Sequence, residues 1–402
     1  MSKHILVVSQ YFYPENFRIN DMCDEWVKRG YKVTVLTGIP NYPQGKFYKG
    51  YGFYKRRKEV VNGVNVIRIP IVPRGKRKST LILNYYSFVI SGWFWKIFTR
   101  IKADLVFIFE VSPMTQALPG IWYAKKRKIP CYLYVTDLWP ESVEFATGIK
   151  NRFIINSIQN MVDKIYKKST KILTSSRGFI KPIQDRGVSI DKIEYWPQYP
   201  ESIYQPVQVN LNENILIPQD GVFNITFAGN IGYAQGLSIL VETAILLKKS
   251  NVQVRFNIIG DGRYKDELIN LIQLSSTNEY FNFIDRKAPI EIPKYLSVSD
   301  AAFISLNNAK VFEYTLPSKL QSYLACGVPI LASANGELSN IIIESKAGFC
   351  SSAGNHVDLA KNITTLMNYC IQDLKNIGVN GLVYSKRHFD KNKLLNSLDD
   401  LF

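Results

Sequence analysis

FEYTLPSKLQSYLACGVPIL, residues 312–331, joins a polar loop, a short helix and the start of a buried strand. Pro317 fixes the backbone where the helix begins, Ser318 takes the capping position, and the first N–H groups of the helix point at any anion above them. Lys319 adds a full positive charge at the same end. Gly327 closes the helix as its C′ residue, and a strand follows over 330–333. The stretch reads as a diphosphate-binding turn. An ordinary helix, with Ser318 only a cap and Lys319 only solvated, has the same residues.

A second loop of this kind lies about ninety residues upstream. In ITFAGNIGYAQGL, residues 225–237, an apolar strand runs into Gly229, Asn230, Ile231 and Gly232 and then into an Ala, Leu and Ile-rich helix. Glycines after a strand let backbone N–H groups approach a phosphate closely. The third glycine of a dinucleotide fingerprint is missing at its proper spacing, which argues against a nicotinamide dehydrogenase.

Outward from these loops, strands alternate with helical stretches. The first set of strands is expected at 4–9, 32–37, 64–69, 105–110, 131–135, 171–175 and 193–195. A second set is expected at 224–228, 254–259, 281–284, 301–304 and 329–332. This is the pattern of parallel sheets covered on both faces. Residues 196–221 hold Pro197, Pro200, Pro206 and Pro218 without a period and read as the linker. The fold class is α/β, two doubly wound domains, with ligands expected beyond the carboxyl ends of the strands on the two walls of a cleft. The boundaries are 1–200, 201–385, and a C-terminal helix over 386–402 packing back on the first domain.

The chain has 402 residues and a net charge of +17, with 46% hydrophobic and 21% charged residues, which are globular values. Residues 1–100 hold 18 Lys and Arg against 5 Asp and Glu, or +13, so the excess sits in the first quarter. A localised basic face implies an acidic partner. One cluster spans 46–58, where Lys and Arg interleave with Phe and Tyr, and another spans 74–78. Residues 81–99, LILNYYSFVISGWFWKIFT, follow almost without charge. Three readings stand for that segment: a membrane-spanning helix, opposed by Asn84, Ser87, Ser91, Gly92 and Lys96; a core helix; or a helix that presents aromatic rings to a bilayer surface. No nucleic-acid recognition motif accompanies the charge. Five scattered cysteines without CxxC spacing read as reduced thiols of a cytoplasmic protein, and no signal peptide is expected ahead of the first strand.

Seven stretches together carry a family resemblance: SQYFYPENFRIND (9–21), TGIPNYPQGKFYKGY (37–51), VTDLWPES (135–142), SSRGFIK (175–181), FAGNIGYAQGL (227–237), GDGRYKDEL (260–268) and LPSKLQSYLACGVPIL (316–331). The chain resembles the retaining glycosyltransferases of family four with the GT-B fold, within them the bacterial O-antigen and capsule transferases assigned to N-acetyl-L-fucosamine. The resemblance implies a UDP-sugar donor held by Gly229, Asn230, Gly232, Gln235, Pro317, Ser318, Lys319 and Ser322. Gly260, Asp261, Gly262, Arg263 and Arg286 would flank the base. It implies a polyprenyl-diphosphate-linked saccharide as acceptor on a first-domain wall bearing Asn16, Arg18, Asn41 and Tyr42. Catalytic candidates are Lys319, Asp137, Glu141 and Glu15.

The chain also departs from the family pattern. Asn230 and Gln235 stand where many relatives have an Arg and a Lys, Ser322 where a ribose-binding Glu is common, and no histidine lies near Asp137. With neither a DxD nor clustered histidines, no metal or other cofactor is expected, and Lys319 with the helix N-terminus would stabilise the leaving phosphate. Peripheral attachment to the anionic inner face of the cell membrane fits such an acceptor. A UDP-sugar 2-epimerase and a non-catalytic nucleotide-sugar-binding subunit are the alternative readings.

Overall fold

The structure is a computed structural model that describes residues 3–75, 77–148, 151–209 and 215–402. It divides into two compact units, Met1–Trp196 with Phe402, and Pro197–Leu401.

The first unit is built on β1 (His4–Val8), β2 (Lys32–Gly38), β3 (Lys58–Val61), β4 (Val64–Ile69), β5 (Leu105–Glu110), β6 (Cys131–Val135), β7 (Lys171–Thr174) and β8 (Ile193–Tyr195). Their order is β3-β4-β2-β1-β5-β6-β7-β8. All neighbours are parallel except β3 with β4. HILVV in β1 is buried throughout, as a strand covered on both faces must be. The order in which strands are added to the sheet reverses between β1 and β5, so loops at their carboxyl ends flank a topological switch point. Phe402 lies among the rings of Trp26, Phe107 and Tyr132.

Strand β3 was not anticipated. Its turn to β4, Asn62-Gly63, has both residues at positive φ (49° and 81°), as a tight hairpin turn requires. Lys58 and Val60 are exposed, so the strand has no apolar face to announce it.

The segment with three readings forms the helix Lys78–Phe98. Its inner face carries buried Asn84, Phe88 and Gly92, and a Cβ on Gly92 would come within 2.3 Å of Pro119. No described helix is long and apolar enough to cross a membrane, which removes the spanning reading.

The second unit contains β9 (Phe223–Ala228), β10 (Val254–Ile259), β11 (Phe281–Ile284), β12 (Ala301–Ser305), β13 (Ile330–Ser333) and β14 (Gly348–Ser351), all parallel, in the order β11-β10-β9-β12-β13-β14. The short edge strand β14 was not expected either. Phe227, Phe256, Ile258 and Phe303 pack with Leu240 and Ala244 of the helix Ser238–Lys249 to form its larger core. The switch point lies between β9 and β12. Of the C-terminal segment, the helix Lys391–Leu401 is grouped with this second unit and Phe402 with the first.

Two glycines let the loops after β9 and β10 interlock. A Cβ on Gly260 (φ +143°) would sit 2.0 Å from the Gly229 carbonyl oxygen, and one on Gly262 would sit 2.0 Å from that of Ile231. The Ile231 N–H donates to Asp261 at 2.9 Å, and the Tyr264 N–H donates to Ile231 at 3.1 Å. Gly260→Ala therefore forces backbone apart and is expected to cost about 3–5 kcal/mol in urea unfolding. Gly221→Ala, at positive φ but with open space around it, is expected to cost only about 1–2 kcal/mol.

Candidate functional site

In the second unit the helix Lys319–Cys326 follows Pro317 and Ser318, and Gly327 closes it in the left-handed region (φ 68°, ψ 34°). Ser318 holds the N-cap position, yet its backbone is already helical and its side chain makes no cap. Gln321 braces the same turn: with its amide oriented as its neighbours demand, it donates to the Pro317 and Ser318 carbonyls at 3.1 Å. Tyr323 fastens the helix to the glycine loop, its hydroxyl accepting from Ala228 N–H at 2.8 Å and donating to Ala228 O at 3.1 Å. Behind the helix, a Cβ on Gly378 would meet Gly327 O at 2.0 Å, so the helix Ile371–His388 presses directly on its end.

Lys319 lies along Gly229. A Cβ on that glycine would be 2.6 Å from Lys319 Cε, so only glycine leaves the lysine its path. Its ammonium sits 3.8 Å from the centre of the Phe227 ring. Burial lowers its pKa to about 7, with no opposing charge among the causes. A desolvated cation–π contact gives back roughly 2 kcal/mol, while removing an ammonium from water costs several. Burial therefore wins and holds the amine near the midpoint of its titration at neutral pH, where an arriving anion would favour the charged form.

The glycine loop does less than its sequence suggests. Gly229 N–H is spent on Ile259 O at 2.9 Å, Ile231 N–H on Asp261 O, and Gly232 N–H on Gln235 Oε1 at 3.1 Å. Asn230 and Ser318 are exposed, and Ser322 is buried with its hydroxyl on the Ser318 carbonyl. Asp261, Arg263 and Arg286 are exposed beside them in sequence, Asp261 accepting from its own neighbour Gly262. The positive charge in reach of an anion on this loop is thus mainly that of Lys319.

The first-unit candidates fare differently from one another. Glu15 is buried, and its carboxylate accepts from the N–H groups of Phe12 (3.3 Å), Asn41 (2.7 Å) and Tyr42 (2.6 Å). Burial still pushes its pKa to about 7 against those donors. It joins the loop after β1 to the loop after β2. Glu141 pairs with Arg186 at 3.0 Å, and Arg186 also reaches Asp163 at 3.2 Å. Asp137 is half-buried and accepts from the hydroxyls of Ser112 and Ser142, while Trp139 Nε1 supports Ser112 at 3.0 Å. Burial raises its pKa against the pull of those hydroxyls. Asn16 is exposed, and Arg18 opens the helix Arg18–Lys28. Asn41 is buried and accepts from Arg74 N–H at 2.8 Å. The Tyr42 ring packs with Tyr11 and Phe17.

Two residues escaped sequence reasoning. Arg74, counted only as part of a basic cluster, lies 5.2 Å over the Tyr42 ring and half-buried. Glu110 ends β5 at the switch point with its side chain fully buried, and burial, then the nearby Asp137, hold its pKa well above the carboxylate range. A lone Glu closing an apolar strand, LVFIFE, was the available signal.

With this geometry in place, comparison with known proteins identifies the class. Residues 16–198 match the Glycosyl transferase 4-like domain family, and residues 212–380 match the family Glycosyl transferases group 1. The chain is a glycosyltransferase of GT-B type, with one domain from each family. Escherichia coli WcaI, assigned as a colanic acid biosynthesis glycosyl transferase, is 26% identical over 84% of this chain and 85% of its own. The alpha-monoglucosyldiacylglycerol synthase of Acholeplasma laidlawii is 23% identical over 78% of this chain and 80% of its own. Sucrose-phosphate synthase from Thermosynechococcus elongatus has the same fold (TM-score 0.78, 14% identity, 100% of this chain and 98% of that one). So does Anabaena HepE in complex with UDP-glucose (TM-score 0.70, 13% identity, 99% and 98%).

Glu110 has a measurable signature. Its raised folded pKa means that the native state keeps a proton that the unfolded state loses near pH 4.5, so ionisation in the unfolded chain drains stability as pH rises above that value. Glu110→Gln mimics the neutral acid and removes the drain. Relative to the parent, it is expected to gain stability as the pH rises above about 5, at up to about 1.4 kcal/mol per pH unit, read from urea unfolding.

Proposed function

We propose that this glycosyltransferase takes its sugar from a UDP-sugar donor, with retention of configuration, and places it on a saccharide carried by a polyprenyl diphosphate. The observation that supports the donor half is Lys319. It is a half-buried ammonium with no carboxylate partner among the described residues, beside Gly229 and at the start of a helix tied to the same loop. Breaking the bond between sugar and diphosphate gathers negative charge on the leaving phosphate, and a fixed cation with helix N–H groups stabilises that charge where it develops. Preorganised charge of this kind serves the reaction without a metal ion. The glycine loops order the strand ends beneath the nucleotide, and the exposed Arg263 and Arg286 flank its base.

On the acceptor side, Asp137 orients the attacking hydroxyl, held in place by Ser112 and Ser142. Retention follows a front-face course in which the leaving phosphate takes the hydroxyl proton. Arg74, Tyr42 and Arg18 give a cationic and aromatic wall suited to a diphosphate-linked sugar. For the donor sugar we carry forward N-acetyl-L-fucosamine, and for the pathway O-antigen or capsule assembly at the cytoplasmic face of the membrane, both on the motif resemblance. The names of the relatives, colanic acid biosynthesis and glucosyldiacylglycerol synthesis, agree with an envelope glycan or glycolipid.

Calorimetry with UDP tests the donor site. Lys319→Ala is expected to weaken UDP binding at least tenfold and to lower kcat by about 10²-fold or more. Unchanged affinity overturns the assignment. Because the free lysine titrates near 7 and a bound diphosphate raises that value, binding takes up a proton above pH 7. The Kd is expected to rise with pH above 7, by at most about tenfold per unit, and the observed enthalpy to vary with buffer ionisation heat. Both effects vanish in Lys319→Gln. Transfer activity is expected to survive EDTA, and a loss restored by Mg²⁺ refutes the metal-free reading.

A further inference from the structure

The helix Lys78–Phe98 is apolar on both sides. Leu83, Tyr86, Ile90, Trp93, Phe94 and Ile97 are between 39% and 57% exposed. At helical spacing they fall in one stripe about 100° wide. The opposite side, through Asn84, Phe88 and Gly92, is already buried in the first domain. A helix resting on a domain ordinarily turns charge toward water, and this one turns aromatic and branched side chains outward along its length.

Cations gather where the stripe ends. Past Phe98, itself 75% exposed, a cavity of about 620 Å³ is bounded by Trp95, Phe98, Arg57, Lys58 and Arg100. A second, of about 690 Å³, shares Lys58 and Arg100 and adds His4, Lys32 and Lys102. Of the described carboxylates at this end, Glu59 pairs with Arg68 at 2.6 Å, while Asp104 accepts from the His4 N–H at 2.6 Å and keeps its charge, one against the five cations named. On the neighbouring helix Ala117–Arg127, Lys126 rests on the Lys96 and Ile97 carbonyls at 3.0 and 3.1 Å, beside exposed Lys125. An apolar stripe that ends among an excess of cations complements a surface with hydrocarbon inside and phosphate outside.

We propose that this face of the first domain docks on an anionic lipid bilayer. Trp93, Phe94 and Ile90 enter the acyl boundary, and Arg100, Lys102 and Lys58 meet headgroup phosphates. The inference deepens the lipid-linked acceptor reading and rests on it for its purpose, while the docking itself is measurable without turnover.

The test is flotation of the full chain with phosphatidylcholine vesicles with or without 30% phosphatidylglycerol, alongside UDP calorimetry and light scattering without lipid. The parent is expected to float with the anionic vesicles and to partition at least tenfold less onto neutral ones or in high salt. Ile90→Ser with Phe94→Ser is expected to lower partitioning at least tenfold with unchanged UDP affinity. Arg100→Glu with Lys102→Glu is expected to do so with the stripe intact. Brominated lipids are expected to quench the parent more than Trp93→Phe. Unchanged flotation of both double variants overturns the docking face, as does a lipid-free dimer that Phe94→Ser dissociates. Failure of UDP to bind, with flotation intact, strikes the donor reading and leaves the docking face standing.

Discussion

The second unit of this molecule depends on how closely two backbones approach. Gly260 and Gly262 leave no atoms between the loops after β9 and β10, and Gly229 leaves none between its own backbone and the Lys319 stem. A side chain at Gly260 or Gly262 would push the two loops apart, and one at Gly229 would displace the lysine. Tyr323 then ties the lysine-bearing helix to the residue before Gly229 through both capacities of one hydroxyl. The result is a lysine held in a fixed place at the expense of its own hydration. That is the condition under which a charge acts most strongly on an incoming anion.

The first domain spends its charge in two ways. Some cations are internal: Arg68 is 1% exposed and holds Glu59, the Tyr13 carbonyl and the Arg56 carbonyl, while its guanidinium lies 4.8 Å over Tyr51. Arg57 is turned onto the carbonyls of Phe53 and Arg68. These two hold the basic loop in shape. Others, such as Lys46, Lys49 and Lys55, are exposed. A charge count along the sequence cannot separate the groups, because what separates them is which carbonyl or carboxylate the fold brings near.

That limit describes what was legible. Strands buried on both faces, such as HILVV, LVFIFE and FNITFA, announce themselves as apolar runs, and the two-sheet architecture followed from their alternation with helices. The hairpin of β3 and β4 was obscured because Lys58 and Glu59 read as part of a charge cluster, although Asn62-Gly63 was a turn signal in plain view. At the site, Lys319 and Gly229 were legible because a lysine opening a helix after Pro-Ser and a glycine after a strand have few purposes. Glu15, Glu141 and Asp137 were legible as carboxylates near a strand end but not in their engagements. Three backbone amides, an arginine 45 residues away and two serines are supplied by tertiary structure. Glu110 was hidden for the opposite reason, since a glutamate at a strand end looks like the first residue of a solvated loop.

The Glu15 bridge has a consequence for how such enzymes diversify. Because one carboxylate accepts from Phe12, Asn41 and Tyr42, and Asn41 in turn accepts from Arg74, the segments after β1, β2 and β4 form a single cassette. Exchanging one of them for its counterpart in a relative would strand a buried acid or a pair of buried amides. Recombination in this region must then carry all three segments together, or first pass through a substitution that frees them from one another.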